Sequence, residues 1–196
     1  LCGDVMLILP KSCFLHVAKT GGSWVKKAII ASGIEYEDYR VDGNPHVGLS
    51  GCPVPDKFKF AFVRHPVDLY RSYWQFKMTH EWDVKNQLDM ECKSDDFNDF
   101  IRNVLDKYPG CFGDSLIDFV GDRENEIEFV GKYENLVEDL ILMLRDAGEV
   151  FDEGAIRNLP AYNVSDKTRF PAIYTANLKE EVRRTEINVM QRFGYD

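Results

Sequence analysis

Phe14-Leu15-His16-Val17-Ala18-Lys19-Thr20-Gly21-Gly22-Ser23-Trp24-Val25 is the stretch whose reading decides the fold. It reads as a buried strand that runs into a glycine-rich turn and then into the first turn of a helix. Such a junction makes an anion site. The amide N–H groups at a helix start have no partner within the helix, and the helix dipole favours negative charge there. Gly21 and Gly22 permit a tight turn and let backbone approach a ligand. Ser23 reads as the N-cap, with a hydroxyl that also suits a phosphate oxygen. Lys19 adds a full positive charge where the strand ends.

A second junction of the same kind follows. Phe58-Lys59-Phe60-Ala61-Phe62-Val63 is the clearest strand in the chain. It ends at Arg64-His65-Pro66, and Pro66 suits the first position of a helix over Val67 to Met78. Repeated strand–loop–helix units predict a parallel sheet covered by helices, with ligands outside the carboxyl ends of the strands. Lys19 and Arg64 would share that edge. Between the junctions lie a helix over Ser23 to Ser32, a short strand within Ile34 to Val41, and a Gly- and Pro-rich loop from Asp42 to Asp56 that carries His46. Residues from His80 to Asp95 read as irregular, and Asp96 to Tyr108 as an amphipathic helix. Ile127 to Lys132 reads as a third strand, followed by a helix to about Ala147 that Gly148 ends. A polar loop over 163–171 precedes a last helix from Asn177 to Phe193, which opens on Asn177 and Glu180 in the manner of a capping box.

The composition is that of an ordinary globular protein: 196 residues, 44% hydrophobic and 29% charged. The net charge of −9 argues against nucleic acid as a partner. Residues 1–80 carry ten Lys and Arg against seven Asp and Glu, and the remainder fourteen against twenty-six. A basic first part in an acidic chain suits a small polyanion held by the N-terminal half. No apolar run reaches the length of a membrane span, and Val5 to Leu9 lacks the basic flank of a signal peptide. The chain starts at Leu1 rather than Met, so an anchor upstream stays open. Cys2, Cys13, Cys52, Cys92 and Cys111 are odd in number and show no CxxC spacing. That argues against a zinc site or a disulfide framework and for a reducing compartment, which makes the chain cytoplasmic. Cys13, at a strand start, reads as a small buried hydrophobe.

The phosphate loop is neither a Walker A motif, whose lysine follows the glycines, nor a Rossmann G-x-G-x-x-G. Lys19-Thr20-Gly21-Gly22-Ser23-Trp24 resembles the 5′-phosphosulfate loop of sulfotransferases, which use 3′-phosphoadenosine 5′-phosphosulfate (PAPS). The run from Phe60 to Tyr73 resembles the 3′-phosphate motif of that family: a strand, then Arg-x-Pro at Arg64 and Pro66, then a serine eight residues past the arginine, Ser72. A strand leading into Tyr133-Glu134-Asn135-Leu136 is a further shared feature. The likeness runs from Phe14 to Tyr195, is thin between Met78 and Glu126, and is closest to the carbohydrate-type branch. One departure is Ala18, where that branch usually has proline.

The resemblance implies one sulfotransferase domain over residues 1–196. Its fold would be α/β, P-loop-like and three-layered, with a central mainly parallel sheet flanked by helices. It implies in-line sulfuryl transfer from PAPS to a hydroxyl or amine of a small-molecule or carbohydrate acceptor, with adenosine 3′,5′-bisphosphate leaving and no metal required. By the same resemblance Lys19 neutralises the leaving oxygen, and Thr20, Gly21, Gly22 and Ser23 hold the 5′-phosphate. Arg64 and Ser72 hold the 3′-phosphate. Trp24 stacks on adenine or packs in the core; Tyr133 lies near the base or is buried. Lys167 and Arg169 sit where a family loop closes over the nucleotide. An acceptor hydroxyl needs a base, and the ordinary pKa of histidine suits that task. His46 lies between the phosphate motifs, where this branch often carries a catalytic histidine; Glu35 and Glu37 are the outside candidates. His16 reads as structural. Two other readings stay open: an ATP-dependent small-molecule kinase, which the position of Lys19 opposes, and a non-catalytic nucleotide-binding module.

Overall fold

The computed structural model describes residues 6–40, 48–122, 125–162 and 169–196. In chain order its elements are β1 (Met6–Ile8), β2 (Ser12–Phe14), α1 (Gly22–Ala31), β3 (Glu37–Tyr39), β4 (Phe58–Val63), α2 (Pro66–Thr79), α3 (Gln87–Cys92), α4 (Phe97–Lys107), α5 (Cys111–Val120), β5 (Phe129–Lys132), α6 (Leu136–Asp146), α7 (Glu153–Arg157), α8 (Ala176–Thr185) and α9 (Ile187–Arg192). Short 3₁₀ turns occupy Leu49–Gly51 and Tyr133–Asn135. The chain divides into two compact units, Leu1–Arg64 with Leu116–Asn163, and His65–Ser115 with Val164–Asp196.

The first unit holds an α/β arrangement around a five-strand sheet in the order β3-β1-β2-β4-β5. β2–β4 and β4–β5 are parallel, with Phe14 opposite Phe60 and Phe60 opposite Phe129. β1–β2 and β1–β3 are antiparallel. The sheet is therefore mixed, where the sequence predicted a mainly parallel one. The cause is local. Leu9 N–H donates to the Ser12 carbonyl at 2.9 Å, closing a turn through Pro10 and Lys11, and so tight a connection joins only antiparallel strands. Met6-Leu7-Ile8 is too short a run to announce itself as a strand by alternation.

Leu7, Leu9, Phe14, Phe60 and Phe62 of the strands meet Trp24, Val25, Ala28 and Ile29 of α1, and Leu140, Ile141, Met143 and Leu144 of α6. Phe14 stacks on Phe60 at 5.1 Å and meets Phe62 edge-on at 6.2 Å. Each such buried side chain contributes about 1.5–3 kcal/mol. The effect on geometry is to hold β2, β4 and β5 in parallel register, so the chain leaves all three at one sheet edge. Leu15 N–H extends the pairing, donating to the Phe60 carbonyl at 2.8 Å.

The second unit is helical. α2 starts at Pro66, as the sequence predicted, and packs its own aromatic core: Tyr70 against Phe112 at 4.3 Å and Trp74 against Phe97 at 5.4 Å. Two carboxylates are buried within this unit. Asp89 accepts from the Tyr73 hydroxyl at 2.5 Å and from Asp83 N–H at 2.8 Å, and pairs with the Lys77 ammonium. Glu186 accepts from the Tyr70 hydroxyl at 2.8 Å. Burial pushes the Glu186 carboxyl above its ordinary range, while the Tyr70 bond pulls it down. The sequence predicted one last helix opening at Asn177. Instead Thr175 caps α8, its hydroxyl accepting from Leu178 N–H at 3.4 Å, and the helix breaks at Glu186 before α9. Among the described residues no helix is long and apolar enough to cross a membrane.

Candidate functional site

The chain beyond β2 folds into a tight, strained turn. Thr20 is fully buried, and its hydroxyl donates to the Val17 carbonyl at 2.9 Å. Lys19 has φ 65°, the one positive φ outside glycine among the described residues. A left-handed lysine costs about 1–2 kcal/mol, and strain of this kind collects at binding sites. Gly21, at φ 91°, is the N-cap of α1, and its carbonyl accepts from Trp24 N–H at 2.9 Å and Val25 N–H at 3.1 Å. No side chain caps this helix, and its first turn carries no acid. Ser23 is thus the second residue of α1 and not its cap, because the left-handed Gly21 turns the chain into the helix two residues earlier.

Both glycines are required by what lies against them. A Cβ on Gly22 would sit 1.9 Å from His16 Nε2. A Cβ on Gly21 would sit 2.9 Å from Leu136 Cδ2 and 3.0 Å from Tyr133 Cδ2. His16 is buried and stacks on Phe14 at 5.6 Å, so its ring is the floor on which the turn rests.

Arg64 follows β4 at the same edge. Its Nη1 donates to the Lys19 carbonyl at 3.2 Å, and its guanidinium lies 4.1 Å from the centre of the Tyr133 ring. Its Nε is buried and has no hydrogen-bond partner among the described residues. A buried guanidinium N–H without an acceptor is costly, and an anion at this point would satisfy it. Lys19, Gly21, Gly22, Arg64 and Tyr133 therefore form one constellation, built by the ends of β2, β4 and β5 and the start of α1. Its chemistry is that of an anion cradle: a helix start, a lysine and a guanidinium braced on an aromatic ring.

Trp24 is buried in the core of the first unit, with Nε1 donating to the Pro160 carbonyl at 3.2 Å. Ser72 is buried in α2 of the second unit. Arg169 is exposed in that unit, its guanidinium 5.1 Å from the Phe170 ring. Glu35 and Glu37 are exposed. His46 and Lys167 lie outside the described residues. His65 Nδ1 accepts from Val67 N–H at 3.2 Å and so caps α2. The described residues contain no group of three or more His, Cys, Asp or Glu side chains placed to hold a metal ion.

Sequence reasoning missed two parts of the cradle, the His16 floor and the contact of Tyr133 with Gly21. The adjacent glycines were the available signal. In sequence they offer room for a ligand; in the structure that room is taken up in part by two rings of the protein itself. Set against protein-family models, curated proteins and solved structures, the chain gives no match.

Proposed function

We propose that this chain is a PAPS-dependent sulfotransferase of P-loop-like fold. The observation that carries the reading is the strained turn from Lys19 to Gly21 at the start of α1, held by Arg64, whose buried Nε has no acceptor among the described residues. In this reading the amides at the start of α1 receive the 5′-phosphate, and Lys19 neutralises charge on the leaving oxygen. Arg64 serves the 3′-phosphate, the group that separates this donor from ATP. Thr20 contributes its amide, since its hydroxyl is engaged with Val17. Trp24 serves packing, since its ring and its N–H are both engaged. His46 is the base, on its place in the sequence alone. The four described cysteines are unpaired thiols, which supports a cytoplasmic setting.

A turnover assay tests the reading. The protein is incubated with PAPS and acceptors bearing sugar hydroxyl, phenol, alcohol or amine groups, and release of adenosine 3′,5′-bisphosphate is followed. Acceptor-dependent release is expected, falling by about 100-fold or more in Lys19→Ala. No release with any acceptor class, or release that Lys19→Ala leaves unchanged, would overturn it.

A further inference from the structure

Cys13 and Cys52, both in the first unit, place their Sγ atoms 3.9 Å apart, in contact but unbonded. The two thiols differ in access. Cys13 sits within β2, opposite Ile8 of β1 and Lys59 of β4, and is fully buried. Cys52 follows the 3₁₀ turn at Leu49–Gly51 and is half-buried. It lines a cleft of ≈ 840 Å³ with Gly48, Ser50, Pro55, Lys59 and Asp118. Cys52 lines the cleft, and Cys13, in contact with it, does not. A disulfide needs its sulfurs about 2 Å apart, so closure requires a movement of about the same size. The turn that carries Cys52 can supply it, while Cys13 is held by strands on both sides. Burial keeps the Cys13 thiol well above its ordinary pKa, with Lys57 and Lys59 pulling the other way, so Cys13 is not the thiol that reacts first.

We infer that Cys52 and Cys13 form a reactive thiol pair that takes small-molecule disulfides of the glutathione class. In the first step the Cys52 thiolate attacks one sulfur of the small disulfide. That S–S bond breaks, a mixed disulfide forms on Cys52, and one small thiol leaves, taking up the proton that Cys52 lost. In the second step the Cys13 sulfur attacks Cys52 Sγ. The mixed disulfide breaks, the Cys13–Cys52 bond forms, and a second small thiol leaves with the Cys13 proton. Two cysteine thiols are oxidised and one small disulfide is reduced to two thiols. The product ties the turn at 48–52 to the strand that leads into the Lys19 turn. The pair stands whether or not that turn binds a nucleotide.

Treatment of the whole reduced protein with oxidised glutathione, followed by peptide mass mapping, tests this. The expected result is a cross-linked peptide joining Cys13 to Cys52, a loss of two hydrogens from the protein mass, and a melting temperature raised by roughly 10 °C. Cys13→Ser should stop at a glutathione adduct on Cys52. Should that core variant fail to fold, Cys52→Ser replaces it and is expected to form no adduct at Cys13. A wild-type protein that keeps glutathione on Cys52 without cross-linking would overturn the inference. So would a cross-link from Cys52 to another cysteine, or no reaction at Cys52.

Discussion

The two strand-to-helix junctions of this protein look alike in sequence and are finished in opposite ways. At the start of α2 the chain supplies its own acceptors: His65 caps the helix through Nδ1, Pro66 occupies the first position, and Asp68 puts a carboxylate in the first turn. At the start of α1 there is no side-chain cap and no acid, and the approach costs a left-handed lysine. Among the described residues one helix start carries a cap and an acid of its own and the other carries neither. The difference teaches that a strand–turn–helix is not in itself a phosphate site. A helix start that already carries its own cap and acid offers an anion less than one that carries neither.

The comparison can be broken most severely at Gly22. Gly22→Ala drives a methyl group into the His16 ring. It should lower stability by about 3 kcal/mol, seen in the urea midpoint, because neither the ring nor the helix start has room to yield. Ser23→Asp would make the first junction resemble the second. It should weaken binding of adenosine 3′,5′-bisphosphate by about 10-fold or more in calorimetry, through like-charge repulsion, while thermal unfolding shows a gain of about 0.5 kcal/mol from the helix dipole. Lys19→Gly and Lys19→Ala both remove the charge, yet only glycine accepts φ 65° freely. The glycine variant should be the more stable by about 1 kcal/mol, and both should bind the bisphosphate weakly. His65→Ala removes a cap and should cost about 0.5–1 kcal/mol in melting experiments. An equal loss from Ser23→Ala would show that the two junctions are not distinct after all.

Where local chemistry decides, the sequence was legible. The run Phe58–Val63 became β4 residue for residue, and Pro66 marked the start of α2. Lys19, the two glycines and Arg64 were visible as a loop and a strand end, and the structure brings them to one edge. What escaped were features set by distant contacts. β1 is a three-residue strand whose direction is imposed by the turn at Pro10 and Lys11. The short helices α3 and α7 hold fewer than two full turns of pattern. The break falls at Glu186, whose buried carboxylate accepts from Tyr70, a residue 116 positions away. The contacts of His16 with Gly22 and of Tyr133 with Gly21 escaped for the same reason, since each arises from tertiary packing that periodicity does not record.

The central claim is that the start of α1 and Arg64 together hold a nucleotide with a 3′-phosphate. Calorimetric titration with adenosine 3′,5′-bisphosphate, beside ADP and ATP–Mg²⁺, tests it most directly in the wild type and in Arg64→Ala. The account predicts that the bisphosphate binds far more tightly than the other two, and that Arg64→Ala weakens it by about 10- to 100-fold, the loss of a charge-assisted hydrogen bond. Preference for ATP–Mg²⁺, absence of binding, or an Arg64→Ala variant that binds as the wild type does would contradict it.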